Sequence, residues 1–327
     1  MLARVANSLY WTGRYIERSE HLARFLNVQY FSTFDAPMSQ DKEVILRSIL
    51  YMGSPRDISQ SKQANAERVQ SNFQYQQSNS FEQDILVEVA LELENQSSIY
   101  ASVKTARENA RSVRYLISSE LWETINRYYL FVSNYSVEFY KNRGLHDFTA
   151  TSIQHCSVIR SYIDSSLLHD DIWAFLKLGI HLERAVQILR ILRSKVIDIQ
   201  SLAKNGGDNP LITYQWTITL QVLEAFDMYR RLHKGNAKQE KVIPFLLTNP
   251  RLFRSLAYTL EQLNFFLSSL SFESSQKSSL SFQASKLASF FKFLEYEEID
   301  ENLEEFLLQS LNKVYKINDL IQKEYFG

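Results

Sequence analysis

Glycine, proline and cysteine are all scarce in this chain of 327 residues, which contains 8 glycines, 5 prolines and one cysteine. Glycine and proline form turns, so their scarcity predicts few turns and long helices. The single cysteine, Cys156, cannot form an internal disulfide, and no Cys/His spacing typical of a metal site is present. These absences favour a reducing, cytoplasmic location, and we expect neither a metal nor a cofactor.

An excess of positive charge is missing as well, because 36 Lys and Arg residues face 37 Asp and Glu residues. Nucleic-acid binding usually requires a basic surface, so we expect no nucleic acid as a partner. The N-terminus lacks the apolar stretch and the cleavage site of a signal peptide. No segment approaches the roughly 18 uncharged apolar residues that span a bilayer. We therefore expect no membrane association.

Apolar residues at helical spacing, by contrast, recur along most of the chain, which is 45% hydrophobic. No segment shows the sustained alternation of a strand, so the predicted fold class is all-α, a multi-helix up-and-down bundle in two pseudo-repeated halves. One helix is expected to begin with Asn249 as its N-cap and Pro250 at its first position. The other predicted helices include 2–30, 41–52, 82–94, 149–167, 171–204, 210–233, 275–294 and 299–325.

Two features divide the chain. Residues 53–80 are rich in Ser, Gln and Asn, which predicts a polar insertion that is a loop or is weakly packed. Gly144 interrupts the helical pattern, so we place the boundary between a first half, 1–145, and a second half, 146–327, at this point. A single compact domain remains an open alternative.

Two segments that lie 166 residues apart carry the same pattern of charge. Their alignment gives five identical pairs: Gly13 and Gly179, Glu17 and Glu183, Arg18 and Arg184, Arg24 and Arg190, and Leu26 and Leu192. On a helix, Gly13, Glu17, Glu20, His21 and Arg24 form one stripe, with the glycine leaving room for another helix or a ligand. Arg18 is expected to point away from this stripe.

A third charged segment, ARENARSVR, places Arg107, Arg111 and Arg114 on one helical face, with Glu108 three residues before Arg111. Three helices thus offer glutamate and arginine side chains that could interlock. Arg107 and Arg111 are expected to line a polar cleft together with Glu17 and Arg24.

Three interpretations of these charges stay open. They could be solvated ion pairs on exposed helix faces, arginine–carboxylate links between helices, or a cleft for an anionic, peptide-like ligand. No catalytic residue and no metal ligand is identified. The candidate network or ligand-binding residues are Gly13, Arg14, Glu17, Arg18, His21, Arg24, Arg107, Glu108, Arg111, Glu183, Arg184 and Arg190.

The chain resembles the bacterial alpha-E family of all-helical proteins, which is named for a shared Glu-Arg motif. The resemblance spans nearly the whole chain and rests on MLARVANSLYWTGRYIERSEHLARFL, SSIYASVKTARENARSVRYLISSELWETIN, WAFLKLGIHLERA, EAFDMYRRLHKG and LLTNPRLFRSLAYTLEQL. The second Glu-Arg segment departs from the first, because Ile180 stands at the position of Arg14 and Val186 at the position of Glu20. Its polar stripe should therefore be narrower.

The resemblance also implies partners, namely a circularly permuted ATP-grasp enzyme and a transglutaminase-like peptidase, and hence peptide or amide-bond metabolism. On this basis we expect a helical accessory or substrate-binding protein with a polar Glu/Arg cleft. The alternative is an enzyme, an amide-forming or amide-cleaving transferase that uses Glu17 and the clustered arginines.

Overall fold

The computed structural model describes residues 1–35, 42–54, 79–204, 209–270, 279–299 and 302–327, and every regular element in these ranges is helical. The all-α prediction is confirmed. In chain order the helices are α1 (Ala3–Asp35), α2 (Lys42–Met52), α3 (Asn79–Leu91), α4 (Ile99–Ser112), α5 (Ser119–Ser133), α6 (Val137–Ser165), α7 (Asp171–Lys204), α8 (Asn209–Val222), α9 (Phe226–Leu232), α10 (Gln239–Thr248), α11 (Leu256–Ser269), α12 (Ser279–Phe293) and α13 (Leu303–Ile321).

Of the predicted divisions, only Gly144 can be examined directly. Its φ of 87° breaks the helical backbone near the start of α6, as the sequence indicated. The predicted insertion at 53–80 falls mostly outside the described residues. The division into two repeated halves stays a prediction. None of the described helices combines the length and the apolar content that crossing a bilayer requires.

The core is built around α1 and α7, the two helices that carry the Glu-Arg segments. Besides contacting each other, α1 packs against α4 and α6, and α7 packs against α11 and α13. Most residues of α7 from Ala174 to Leu202 are buried. Because α7 is buried on nearly all sides, the charged residues that it carries must find partners in the interior.

Two glycines allow α1 and α7 to cross closely. A Cβ on Gly13 would lie 2.2 Å from the carbonyl oxygen of Leu176, and a Cβ on Gly179 would lie 2.0 Å from that of Tyr10. Each glycine thus faces the residue three positions before the other glycine, so the contact is reciprocal. The close approach predicted at Gly13 is present, and its partner is the second Glu-Arg helix.

Two predicted helices differ from the structure. The helix predicted at 210–233 is two helices, because α8 ends in a turn in which the Ala225 N–H donates to the Leu220 carbonyl and Glu224 has a φ of 50°. The helix predicted to begin at Asn249 begins at Leu256 instead. The Asn249 side chain accepts a hydrogen bond from the Arg251 N–H and stabilises a turn, while Ser255 is the N-cap.

Candidate functional site

Two reciprocal ion pairs join α1 and α7 just beyond the glycine crossing. Glu17 of α1 accepts hydrogen bonds from Nε and Nη2 of Arg184, at 2.6 and 3.2 Å. Glu183 of α7 accepts from Nε and Nη2 of Arg18, at 2.8 and 3.1 Å. Because Glu17 is equivalent to Glu183 and Arg18 to Arg184 in the alignment, the two pairs are related as in a two-fold symmetric contact.

This geometry decides between the interpretations of the Glu-Arg segments. Glu17 and Glu183 are completely buried, so the interpretation as solvated surface pairs is wrong for α1 and α7. The two bidentate pairs are arginine–carboxylate links between helices. The expectation that Arg18 points away from the stripe was also wrong. The helices α1 and α7 cross so closely that the Arg18 side chain, at the edge of the stripe, reaches Glu183.

On one side of the crossing, charged groups from five parts of the chain surround Glu17. We call this the closed cluster, and its members are Glu17, Glu20, His21, Arg24, Arg160, Arg184, Glu224 and Arg254. The four residues of α1 are joined by Arg160 from α6 and Arg184 from α7. Glu224 follows α8, and Arg254 precedes α11. All but Glu224, which is half-exposed, are buried or largely buried.

Glu20 and Glu224 form ion pairs with the arginines of the closed cluster other than Arg184. Glu20 accepts from Arg24 at 2.8 Å and from Arg254 at 2.7 Å, and it also pairs with Arg160. Glu224 accepts from Arg24 at 2.6 Å and from Arg254 at 2.9 Å. Every arginine of the closed cluster therefore has a carboxylate partner.

The closed cluster contains three carboxylates and four guanidinium groups, and burial makes their mutual effects strong. Burial alone would raise the pKa of Glu17, but Arg184 and His21 hold it well below its ordinary value, so Glu17 is ionised. Burial lowers the pKa of Arg24 to about 10, with a further contribution from Arg254. Burial likewise lowers the pKa of Arg160 to about 10, and Arg24 and Arg160 both stay charged at neutral pH.

His21 is the neutral member of the closed cluster. Its Nε2 lies 3.1 Å from Glu17 Oε1 and 3.1 Å from Arg254 Nη1, so it can donate to the carboxylate or accept from the guanidinium, but not both. Burial and the positive charge of Arg254 lower the pKa of His21 to about 4, although its hydrogen bond with Glu17 acts in the opposite direction.

On the other side of the crossing lies a pocket of about 150 Å³, which we call the arginine pocket. Its walls come from α1, α7, α13, the end of α2 and the segment before α4. The lining residues are Trp11, Arg14, Tyr15, Arg18, Met52, Ser54, Gln96, Ser97, Glu183, Val186, Arg190 and Tyr315.

Glu183 is the carboxylate in the wall of the arginine pocket. It accepts hydrogen bonds from Arg14 Nε at 2.8 Å and Gln187 Nε2 at 2.8 Å, in addition to those from Arg18. Burial alone would raise the pKa of Glu183, but Arg18 and Arg14 lower it strongly. Glu183 is therefore ionised, and its capacity to accept further hydrogen bonds is largely used.

Arg190 differs from its equivalent Arg24 in its hydrogen-bond partners. Its Nη2 donates to the backbone carbonyls of Tyr51 at 2.6 Å and Ser54 at 2.9 Å. Among the described residues no carboxylate pairs with Arg190, and its buried Nε has no hydrogen-bond partner. The sequence gives the reason, because the position of Glu20, which pairs with Arg24, is occupied by Val186 in the second segment.

The arginine pocket is thus lined by three guanidinium groups, from Arg14, Arg18 and Arg190, and by one carboxylate, that of Glu183. Arg14 is completely buried, donates to Asn318 Oδ1 at 2.5 Å and lies 4.7 Å from the ring centre of Trp11. Burial would lower the pKa of Arg14, but Glu183 more than reverses this effect. A partly buried, net positive pocket of this kind is suited to binding an anion.

The third charged segment is not part of either site. Arg107 of α4 donates to Asn126 and to Glu108 and lies 4.6 Å from the ring centre of Tyr129, and Arg111 is mostly exposed. None of their contacts reaches Glu17 or Arg24. The expectation that α4 lines a cleft with the Glu-Arg helices is therefore not met, because its arginines face α5 and solvent.

Four members of the closed cluster, Glu20, Arg160, Glu224 and Arg254, were not among the predicted site residues, although Glu20 lies on the predicted stripe of α1. Arg254 lies in the Asn-Pro-Arg segment that contributed to the family resemblance, which was a usable signal. Arg160 follows the buried Ile159 in the sequence, and a single charged residue next to an apolar position was a weaker signal. Nothing in the sequence around Glu224 indicated its role, because it depends on a turn that was predicted as helix.

A family model described as a predicted alpha-helical domain with a conserved ER motif, Alpha-E, matches residues 1–326. The chain therefore belongs to the Alpha-E family. Comparison with curated proteins and with solved structures finds no match. The sequence contains three Glu-Arg dipeptides. Two of them, Glu17-Arg18 and Glu183-Arg184, form the two reciprocal ion pairs, and the third, Glu67-Arg68, lies outside the described residues.

Proposed function

We propose that this Alpha-E protein is a cytoplasmic binding protein that holds a carboxylate of a peptide-like substrate in the arginine pocket. It would serve peptide or amide-bond metabolism as an accessory to a circularly permuted ATP-grasp enzyme and a transglutaminase-like peptidase. The observation that carries the proposal is the presence of three guanidinium groups and one carboxylate around a pocket of about 150 Å³. The metabolic setting rests on the family resemblance.

The chemistry of the pocket favours a carboxylate ligand. The planar guanidinium presents a fork of N–H donors that matches two carboxylate oxygens. Arg14 and Arg18 already share Glu183, whereas the Arg190 Nε has no acceptor, so an incoming anion would satisfy it. The volume is smaller than that of sites for drug-sized ligands, so the pocket suits the terminal group of a substrate rather than a whole peptide.

Catalysis by Glu17, the alternative function, has less support from the geometry. Glu17 is completely buried, and its oxygens accept hydrogen bonds from Arg184 and lie beside His21. Its pKa lies well below the ordinary value, so it would be a weak base at neutral pH. We therefore assign the closed cluster a structural role and place ligand binding in the arginine pocket.

The proposal is tested by restoring the missing carboxylate. A Val186→Glu substitution reproduces in the second segment the glutamate that pairs with Arg24 in the first, and should neutralise Arg190. Val186→Gln, of the same size but uncharged, is the matched control. Calorimetry would use N-acetyl-alanyl-alanine as the probe and its C-terminal amide as the uncharged comparison.

We expect the unmodified protein to bind the acid at least tenfold more tightly than the amide. Val186→Glu should abolish this preference, while Val186→Gln should keep it. Equal binding of acid and amide, or a preference that survives Val186→Glu, would show that the arginine pocket does not recognise carboxylates. The partner is tested separately, since the purified ATP-grasp enzyme should form a complex with this protein and change its turnover.

A further inference from the structure

A second concave surface lies between α12 and α13, well separated in sequence from the Glu-Arg segments. This groove has a volume of about 290 Å³ and is lined by Gln283, Lys286, Leu287, Phe290, Lys313, Lys316 and Ile317. Leu287 and Ile317 are buried and form an apolar floor. We call this surface the lysine groove.

Lysines stand on both rims of the lysine groove, with Lys286 on α12 and Lys313 and Lys316 on α13. All three are exposed, and none of them pairs with a carboxylate in the part of the chain that the structure describes. By contrast, Lys292 of the same α12 pairs with Glu261 at 2.9 Å. No acidic residue is among those that line the groove, so its lysines give it a net positive charge.

Exposed aromatic side chains continue the apolar surface along α12. Phe282, Phe290 and Phe293 lie at positions i, i+8 and i+11, which places them on one face of the helix together with Lys286. Phe282 is 61% exposed and Phe293 is 73% exposed. Large apolar side chains that line up on a surface in this way mark a site of interaction rather than ordinary scatter.

We propose that the lysine groove docks an acidic amphipathic helix of a partner protein, with apolar side chains on the groove floor and carboxylates against the lysines of the two rims. Charge complementarity selects an acidic partner. The concave shape between two helices selects a helix, because the recessed floor of Leu287 and Ile317 suits an inserted ridge of side chains. A flat bilayer surface would leave this floor uncovered.

The helix α13 connects this docking surface with the arginine pocket. One of its faces carries Lys313, Lys316 and Ile317 to the groove. The opposite face carries Tyr315 to the wall of the arginine pocket and Asn318 to Arg14. A partner in the groove would therefore sit one helix away from the proposed carboxylate site, but the groove does not depend on that site for its own binding.

The test measures fluorescence anisotropy of a labelled, synthetic 18-residue amphipathic helix with leucine on one face and glutamate on the other. A second peptide carries lysine in place of each glutamate. The groove variant is Lys286→Glu/Lys313→Glu/Lys316→Glu. The matched control, Lys104→Glu/Lys234→Glu/Lys241→Glu, changes three exposed lysines outside the groove by the same total charge. Vesicles of phosphatidylglycerol and phosphatidylcholine serve as the lipid surface.

We expect the glutamate peptide to bind the unmodified protein and to lose at least tenfold in affinity with the groove variant, but less than twofold with the control. Phe290→Ala should weaken the same binding several-fold, because it removes apolar contact without changing charge. Equal binding of the lysine peptide, or an equal loss with the control, would overturn the proposal. It would also fail if the vesicles bind through these lysines and the peptide does not.

Discussion

The two sides of the α1–α7 crossing start from the same ion pair and end as different sites. Glu17 with Arg184 and Glu183 with Arg18 are equivalent by sequence position and by geometry. Around Glu17 every arginine has a carboxylate partner, and the cluster is buried. Around Glu183 one arginine has none, and a pocket is present. The ion pair that both sides share is therefore structural, and the residues around it decide whether a ligand can enter.

Single substitutions account for much of this difference. Replacement of a glutamate at the position of Glu20 by Val186 leaves Arg190 without an acid. His21, which lies beside Glu17, has Gln187 as its equivalent. Gln187 donates to Glu183 from the same position four residues later and cannot titrate. Arg190 therefore donates to backbone carbonyls and has no carboxylate partner among the described residues, on the wall of the arginine pocket.

The largest expected effect concerns the contact that both sides share. Gly13→Ala or Gly179→Ala would place a Cβ about 2 Å from a backbone oxygen of the other helix, where no side chain can move aside. We expect a loss of more than about 4 kcal/mol in the free energy of unfolding, or failure to fold. Urea unfolding followed by circular dichroism measures it.

The sign of this effect is informative, because alanine usually stabilises a helix interior by about 0.5–1 kcal/mol relative to glycine. Gly53→Ala is the comparison, since its Cβ would meet side-chain atoms of the buried Val89 at 2.7 and 2.9 Å rather than backbone at about 2 Å, and it should cost less than Gly13→Ala. Wild-type stability for Gly13→Ala would mean that α1 and α7 do not cross at these residues.

The next prediction compares the two sides of the crossing by substituting the equivalent arginines Arg184 and Arg18. Arg184→Gln should cost about 3–5 kcal/mol in unfolding free energy, because it leaves the buried Glu17 carboxylate without its bidentate partner. Arg18→Gln should cost only about 1–2 kcal/mol, since Arg18 is 20% exposed and Arg14 still pairs with Glu183. Chemical denaturation of both variants in the same buffer gives the comparison. Equal losses would show that the two sides do not differ in solvent access.

A smaller effect concerns pH and belongs to the closed cluster. The pKa of His21 is about 4 in the folded protein and about 6.5 in an unfolded chain. Between these values the unfolded chain binds more protons, so the free energy of unfolding falls as the pH is lowered from 6.5 towards 4. His21 contributes on the order of 3 kcal/mol to this loss, and His21→Gln should make the dependence shallower.

The pH dependence of the free energy of unfolding should not vanish in His21→Gln, because burial also lowers the pKa of His181 well below its ordinary value. Urea unfolding at pH 7 and pH 5 measures the change, and His146→Gln, at an exposed histidine, controls for removing an imidazole as such. An unchanged pH dependence in His21→Gln would place the titrating groups outside the closed cluster.

Much of the fold was accessible from local pattern. The bounds of α7, predicted as 171–204, agree with the structure, because a long periodic apolar segment leaves little ambiguity. The predictions failed where a turn competes with a helix, at Glu224 and at Asn249. Both turns supply the closed cluster, through Glu224 and Arg254, so the same errors hid two of its members.

The sequence by itself determined that the protein is helical, that Gly13, Glu17 and Arg24 share a stripe, and that the pattern recurs 166 residues later. These are properties of spacing, which a helix converts directly into direction. Only the tertiary structure decided that Glu17 meets Arg184, that Arg160 and Arg254 join them, and that Arg107 does not. Partners far apart in the chain are chosen by packing, because a buried charge must be compensated by whichever group the fold brings within hydrogen-bonding distance.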